Sequence, residues 1–263
     1  MDSTEIPLLG KQSKSLHPVR FVSTRYRHLL LSMVLAGVVS ATSLRRAETI
    51  CLGKTPRGDS SGSPTLGERL VQEYAKEAGL GTTPELQKIS DYVAGIGARV
   101  SGALPSSPKY HFLLDPNPGF ESAFALPERN VIVGGGLLAI VQTEDELANV
   151  LAHEIEHVEL NQVGARLLTL LKTKSEAQIH VDDFYPGYTK QEELACDLTG
   201  QQLAARAGYS PAGMLTLLET FQALRKGEAE APSDAHPTLL ERIAQAKPLA
   251  KAANQHQAPL RLP

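Results

Sequence analysis

Apolar positions recur every three or four residues through several stretches of this chain. Leu66, Leu70, Val71, Tyr74 and Ala78 share one helical face, and so do Leu86, Ile89, Tyr92, Val93 and Ile96. They predict helices near 66–78 and 83–100. The period then shortens. Runs at 110–114, 122–126 and 130–133, punctuated by Pro and Gly, read as strands. Helical spacing returns at 144 and continues to about 171, with Thr143 and Glu146 at capping-box spacing before it. Residues 172–187 are polar and mixed, hence a loop. Thr189 with Glu192 repeats the capping-box spacing and opens a helix that ends near Ala207-Gly208. Ser210-Pro211 opens another helix to about 226, with Pro at its first position. A loop over 227–235 precedes a last helix over 237–245. The predicted class is α+β, helix-dominated, with a small sheet.

Ahead of these elements lies an uncharged run, 29–44. Its strongly apolar part, 29–39, is well short of the roughly 20 residues that span a bilayer. Arg20, Arg25 and Arg27 precede it, small residues follow, and Val39-Ser40-Ala41 suits a cleavage site. Residues 1–47 are therefore expected to be a leader, either a secretory signal peptide or a signal anchor through 29–44. Both put the protein in the periplasm or cell envelope, with membrane association in the second case. Because 28 residues before the run is long for a signal peptide, translation starting at Val19 or Val22 is an alternative. Residues 48–65, rich in Gly, Ser and Pro, read as a flexible linker, 66–250 as one catalytic domain, and 251–263 as a tail.

Charge narrows the partners. Residues 1–60 hold nine basic and four acidic groups, and the remainder of the 263 holds 17 and 25. An acidic body argues against nucleic acid, whose phosphates need clustered Lys and Arg. Two cysteines, Cys51 and Cys196, make neither a disulfide framework nor a multi-cysteine zinc site.

The chemistry is concentrated in His153-Glu154-Ile155-Glu156-His157. Two His four apart share a helical face, with Cβ atoms about 6 Å apart, so both imidazoles can bind one zinc ion. Glu154, offset by one position, can reach a water on that ion without binding it, as a general base. A catalytic zinc usually has a third protein ligand. The HExxHxxGxxH source is excluded, because Leu160 and Val163 stand at its Gly and His positions. The other source is a carboxylate on a later helix: Glu192, Glu193 or Asp197. Glu192 is at the third helical position after Thr189, where it turns back to the cap. Glu193 and Asp197 share a face that continues through Gly200 and Ala204, small enough for close helix approach. Glu193 is thus expected as third ligand. Asp197, one turn on, is expected to accept the other ring N–H of a ligand His. Cys196 is expected to be a buried filler.

Several of these motifs occur together, in order, from about 66 to 246. They are Ser122-Ala123-Phe124-Ala125-Leu126-Pro127, Val131-Ile132-Val133, Gly136-Leu137-Leu138, the His153–His157 stretch, Glu193–Asp197 with Gly200, Ala207-Gly208-Tyr209-Ser210-Pro211, and His236-Pro237-Thr238 with Glu241-Arg242. The chain resembles the HtpX/BepA-type zinc metallopeptidases, peptidase family M48. The resemblance implies a gluzincin (zincin-like) fold with the sheet beside the active-site helix. It also implies one zinc per chain and endopeptidase activity on misfolded or unassembled proteins of the cell envelope. It makes His236 and Arg242 candidates for stabilising the oxyanion. Tyr185, Tyr188 and Tyr209 are candidates by residue type alone. The chain departs from the family pattern at Ser122, Glu156, Asn161-Gln162 and Cys196. It reads as a minimal catalytic domain.

Two further expectations bear on mechanism. Residues 130–133 are expected to form an edge strand that pairs with extended substrate backbone, which would suit unfolded chains. His236, after a loop of Gly, Ala, Ser and Pro, is expected either to latch onto the zinc or to stabilise the oxyanion. The competing class is a non-enzymatic binding protein with a structural zinc, which would need a fourth protein ligand.

Overall fold

The computed structural model describes residues 64–81, 83–185, 187–225 and 236–252. The expected leader (1–47), nearly all of the linker, the 227–235 loop and most of the tail lie outside these residues. The described elements are α1 (Leu66–Glu77), α2 (Pro84–Ser101), β1 (His111–Asp115), β2 (Ala123–Leu126), β3 (Asn130–Gly134), α3 (Gly135–Ile140), α4 (Glu144–Glu159), α5 (Gln162–Leu170), α6 (Lys190–Arg206), α7 (Ala212–Leu224) and α8 (Leu239–Ala252). No described helix is long and apolar enough to cross a membrane.

The sheet runs β1-β3-β2, with β1 parallel and β2 antiparallel to β3. This corrects the expectation for 130–133: β3 is the central strand, and β1 and β2 are the edges. The reason is burial on both faces. Val131 and Val133 join a core shared with α2, α4 and α6, whereas Ile132 joins a second core with α1 and the 179–184 segment. An unbroken Val-Ile-Val run belongs to such a strand, because an edge with one wet face alternates. β2 and β3 are joined through Pro127, Glu128 and Arg129, with φ of 62° at both Glu128 and Arg129. The Asn130 side chain donates to the Pro127 carbonyl at 2.8 Å and ties this strained turn down.

Two helices depart from the reading of periodicity. The stretch 144–171 is not one helix: α4 ends at Glu159 with Leu160 as its cap, Asn161 takes a left-handed φ of 59°, and α5 begins at Gln162. Apolar spacing continues across the break, so the pattern cannot show it, and Asn is among the few residues that tolerate that conformation. Helix α3 starts on a glycine run that reads as a turn. A Cβ at Gly134 would stand 2.0 Å from the Phe120 carbonyl and one at Gly136 2.4 Å from the Pro118 carbonyl, so backbone crowding requires glycine. The last helix is also longer than 237–245. Thr238 and Glu241 form its capping contacts, at 3.2 and 2.8 Å, and it runs past Pro248 to Ala252.

Helix α4 is the centre of the core, with Leu147, Leu151 and Ile155 fully buried. Each such side chain stabilises by about 1.5–3 kcal/mol. Helix α6 lies against it through Gly200, where a Cβ would stand 3.0 Å from the His153 backbone nitrogen. Close approach at two small residues, Gly200 and Ala204, is what the sequence pattern predicts. The turn before α7 is pinned to the start of α4: Asp145 accepts from the Ser210 N–H at 2.7 Å, and Asn149 donates to the Ser210 carbonyl at 2.9 Å.

Candidate metal centre

Capping fixes where each contributing helix begins. Thr143 and Glu146 cap α4 reciprocally, and the Glu146 carboxylate also accepts from Thr216 of α7 at 2.8 Å. In α6 the Glu192 carboxylate accepts from the Thr189 N–H at 2.8 Å. The next residue, Glu193, is thereby turned to α4.

His153, His157 and Glu193 then converge, each offering one ligand atom within 4.8 Å of the others. His153 Nε2 lies 3.0 Å from His157 Nε2 and 3.4 Å from Glu193 Oε2. Tetrahedral zinc with bonds of about 2.0–2.1 Å holds two nitrogens about 3.3 Å apart, so the donor set fits that ion. Each far nitrogen faces a side-chain oxygen. Asp197 Oδ1 stands 3.0 Å from His153 Nδ1, and Gln162 Oε1 stands 2.6 Å from His157 Nδ1. Both rings therefore turn Nε2 to one point. Among the described residues no fourth ligand joins the cluster.

The electrostatics agree with a cation at that point. Burial works against charge on His153, but Asp197 and Glu193 outweigh it and hold the ring up at about 10. His157 is driven down to about 3 by burial, then by the charge on His153. Burial also opposes charge on Glu193, yet the His153 contact prevails and holds the carboxyl at about 2. Asp197, fully buried, is overcome in the same way by Arg242 and lies well below the carboxylate range. Two facing nitrogens beside a carboxylate thus hold one positive charge between them, and a metal ion would take the proton's place.

Glu154, only 7% exposed, lies beside this cluster in a cavity of about 240 Å³. Burial raises its carboxyl to about 7, although His153 and the Ala125 backbone act to lower it. The cavity wall is apolar on the α7 side, through Met214, Leu217, Leu218 and Phe221 with Val150 of α4. Opposite stand Ser122, Ala123 and Phe124 at the start of edge strand β2.

The other candidates divide. Arg242 lines the cavity, but its Nε and one Nη donate to Asp197 at 2.7 and 2.6 Å, so those donors are committed to the group behind His153. Tyr188 stacks on His157 with centroids 3.9 Å apart, and Tyr185 lines the same wall. Tyr209 is removed from the site: it is a core residue under the Arg99 guanidinium, 4.7 Å from the ring centre. His236 opens the segment before α8 and is not among the residues lining this cavity. Cys196 is fully buried, as expected of a filler, with Sγ 3.3 Å from His157 Nδ1. Glu156 lies under Thr199 of α6, and no ligand depends on it. Gln162 enters the sequence analysis only as a departure from the family pattern, and its place behind His157, five residues on, is shown by the fold.

The model of Peptidase family M48 matches residues 68–181, which carry the sheet and all of α4. Over that stretch the chain is similar to peptidase family M48. The match ends before α6, so Glu193 and Asp197 are located by the geometry above. Curated relatives carry protease names. The beta-barrel assembly-enhancing protease of Escherichia coli (strain K12) is 26% identical over 83% of this chain and 50% of its own length. The mitochondrial metalloendopeptidase OMA1 of Schizosaccharomyces pombe is 27% identical over 68% of the chain and 58% of its own. The metalloprotease LoiP of Escherichia coli is 24% identical over 68% of the chain and 76% of its own. The chain thus spans about half the length of the first of these relatives.

Proposed function

We propose that this chain is a member of peptidase family M48, a zinc metalloendopeptidase that cuts unfolded protein chains. The observation that carries this reading is the convergence of His153, His157 and Glu193 beside the buried carboxyl of Glu154. The three ligands would hold one zinc ion, which supplies a Lewis acid that lowers the pKa of a water to about 7. Glu154 would take a proton from the attacking water and hand it to the leaving amine. A carboxyl raised towards neutrality by burial suits a group that must accept and release a proton. Arg242, through Asp197, keeps His153 in place.

Substrate selection follows from the walls. Residues 122–124 open edge strand β2, where an extended chain can add backbone hydrogen bonds without regard to sequence. The Met214, Leu217 and Phe221 side suits a large apolar side chain next to the cut bond. Folded proteins offer neither feature. The relatives' names and the basic, apolar, small order of the leader support a site of action in the periplasm or cell envelope. There the substrates would be misfolded or unassembled proteins, and residues 29–44, if uncleaved, would give membrane association. His236 remains a candidate for a latch or an oxyanion contact.

The test is digestion of a chemically unfolded protein, with products mapped by mass spectrometry. Zinc-loaded protein should cut beside large apolar residues, stop on chelation and resume with zinc. Absence of cutting by the loaded protein, or cutting indifferent to chelation, would overturn the reading.

A further inference from the structure

Each histidine of the triad has a different support behind it. His153 is backed by a carboxylate, Asp197, itself gripped by Arg242. His157 is backed by a neutral amide: Gln162 Oε1 stands 2.6 Å from its Nδ1. We propose that Gln162 is the positioning residue for His157, holding the proton on Nδ1 and turning the Nε2 lone pair to the point shared with His153 and Glu193. The inference rests on the zinc-site reading above and extends it to a residue outside the ligand set.

Three observations carry it. First, the amide has one orientation. Gln162 Nε2 donates to the Glu192 carbonyl at 3.4 Å, so the oxygen end is the one that faces His157. Second, an oxygen there can only accept, and so selects the Nδ1–H tautomer, the form that leaves Nε2 free to bind metal. Cys196 Sγ also lies 3.3 Å from Nδ1, but burial keeps its thiol protonated and that thiol donates to Gln162 Oε1 at 3.5 Å, so the amide oxygen is the acceptor left for Nδ1–H. Third, the contact depends on the chain reversal at Asn161. Gln162 is the first residue of α5 and only 8% exposed, and it reaches back under α4 because α5 does not continue that helix. The same amide therefore joins His157 on α4 to the backbone next to Glu193 on α6.

A neutral support has a chemical consequence. Asp197 adds electron density to its ring, whereas Gln162 orients without adding charge. With Glu193 as the sole anionic ligand, the metal point keeps its net positive character.

The test uses the full chain with Gln162→Met, which keeps the volume and removes the acceptor, and Gln162→Glu, which keeps an acceptor. Zinc affinity is measured by competition with a chromogenic chelator. The tautomer of His157 is read from its ring ¹⁵N shifts in the metal-free protein. Gln162→Met should lower zinc affinity about 10–100-fold, the usual effect of losing such a partner, and populate the Nε2–H tautomer. Gln162→Glu should recover most of the affinity. Wild-type affinity and an unchanged tautomer in Gln162→Met would overturn the proposal, as would an Nε2–H tautomer in the wild type. If the wild type bound no zinc, the metal-site reading would fall, while the ring shifts would still decide the role of Gln162.

Discussion

Glu192 and Glu193 are adjacent in sequence and turn to different tasks. The Glu192 carboxylate accepts from the Thr189 N–H at 2.8 Å, while Glu193 Oε2 lies 3.4 Å from His153 Nε2. One step of about 100° along the helix separates a cap from a ligand. Glu193→Gln should therefore strip most zinc and abolish cleavage, with the fold intact by circular dichroism. Glu192→Gln should leave zinc and cleavage in place and cost about 1 kcal/mol or less of stability. Loss of zinc in the Glu192 variant instead would shift the ligand assignment by one residue.

Gly200 sets how near α6 comes to α4. A Cβ there would meet the His153 nitrogen at 3.0 Å and its Cα at 3.1 Å, closer than ordinary contact. In Gly200→Ala the helices must part by a few tenths of an ångström, although the helix itself gains about 0.5–1 kcal/mol from losing glycine. Zinc affinity should fall while thermal stability changes little. Chelator competition alongside a melting curve checks this, and unchanged affinity would count against ligand geometry set by that contact.

A pH effect is expected in the 172–189 segment, which carries Phe184, Tyr185 and Tyr188 to the cavity wall. Burial acts to raise the Asp183 carboxyl, but Lys174, 2.5 Å away, and the His180 N–H outweigh it and lower its pKa. A carboxyl depressed in the folded state contributes stability above its unfolded value, about 3.9, and loses it as pH falls through the folded value. Lys174→Ala should then cost roughly 0.2–1 kcal/mol at pH 7, and the difference should be smaller at pH 3, below the unfolded value. Urea unfolding at both pH values measures it. An equal difference at both would assign the effect to packing.

For His236 the two candidate roles predict opposite signs. If it latches onto the metal, His236→Ala should raise basal cleavage of unfolded substrate. If it stabilises the oxyanion, the same change should lower turnover by roughly 10²–10³. Unchanged turnover would remove both roles.

Local signals were the legible part of this fold. The two capping boxes mark the starts of α4 and α6, the His-x-x-x-His spacing marks one face, and the Gly200–Ala204 stripe marks where that face meets its neighbour. Long-range relations were less legible. Strand order depends on which faces are covered, so β3 reads as an edge until both its cores are seen. The break at Asn161 leaves no trace in apolar spacing, yet it brings Gln162 under His157. Arg242 is a candidate oxyanion contact in sequence; in the fold two of its donors go to Asp197.

The central claim is that Glu154 moves the proton in a zinc-dependent cut. Glu154→Gln keeps the side chain's size and does not touch the ligand set. Zinc content and the rate of cleavage of an unfolded protein should be measured on the same preparation. Glu154→Gln should hold one zinc per chain, as the wild type does, with cleavage lost. A variant that holds one zinc and cleaves at the wild-type rate would contradict it.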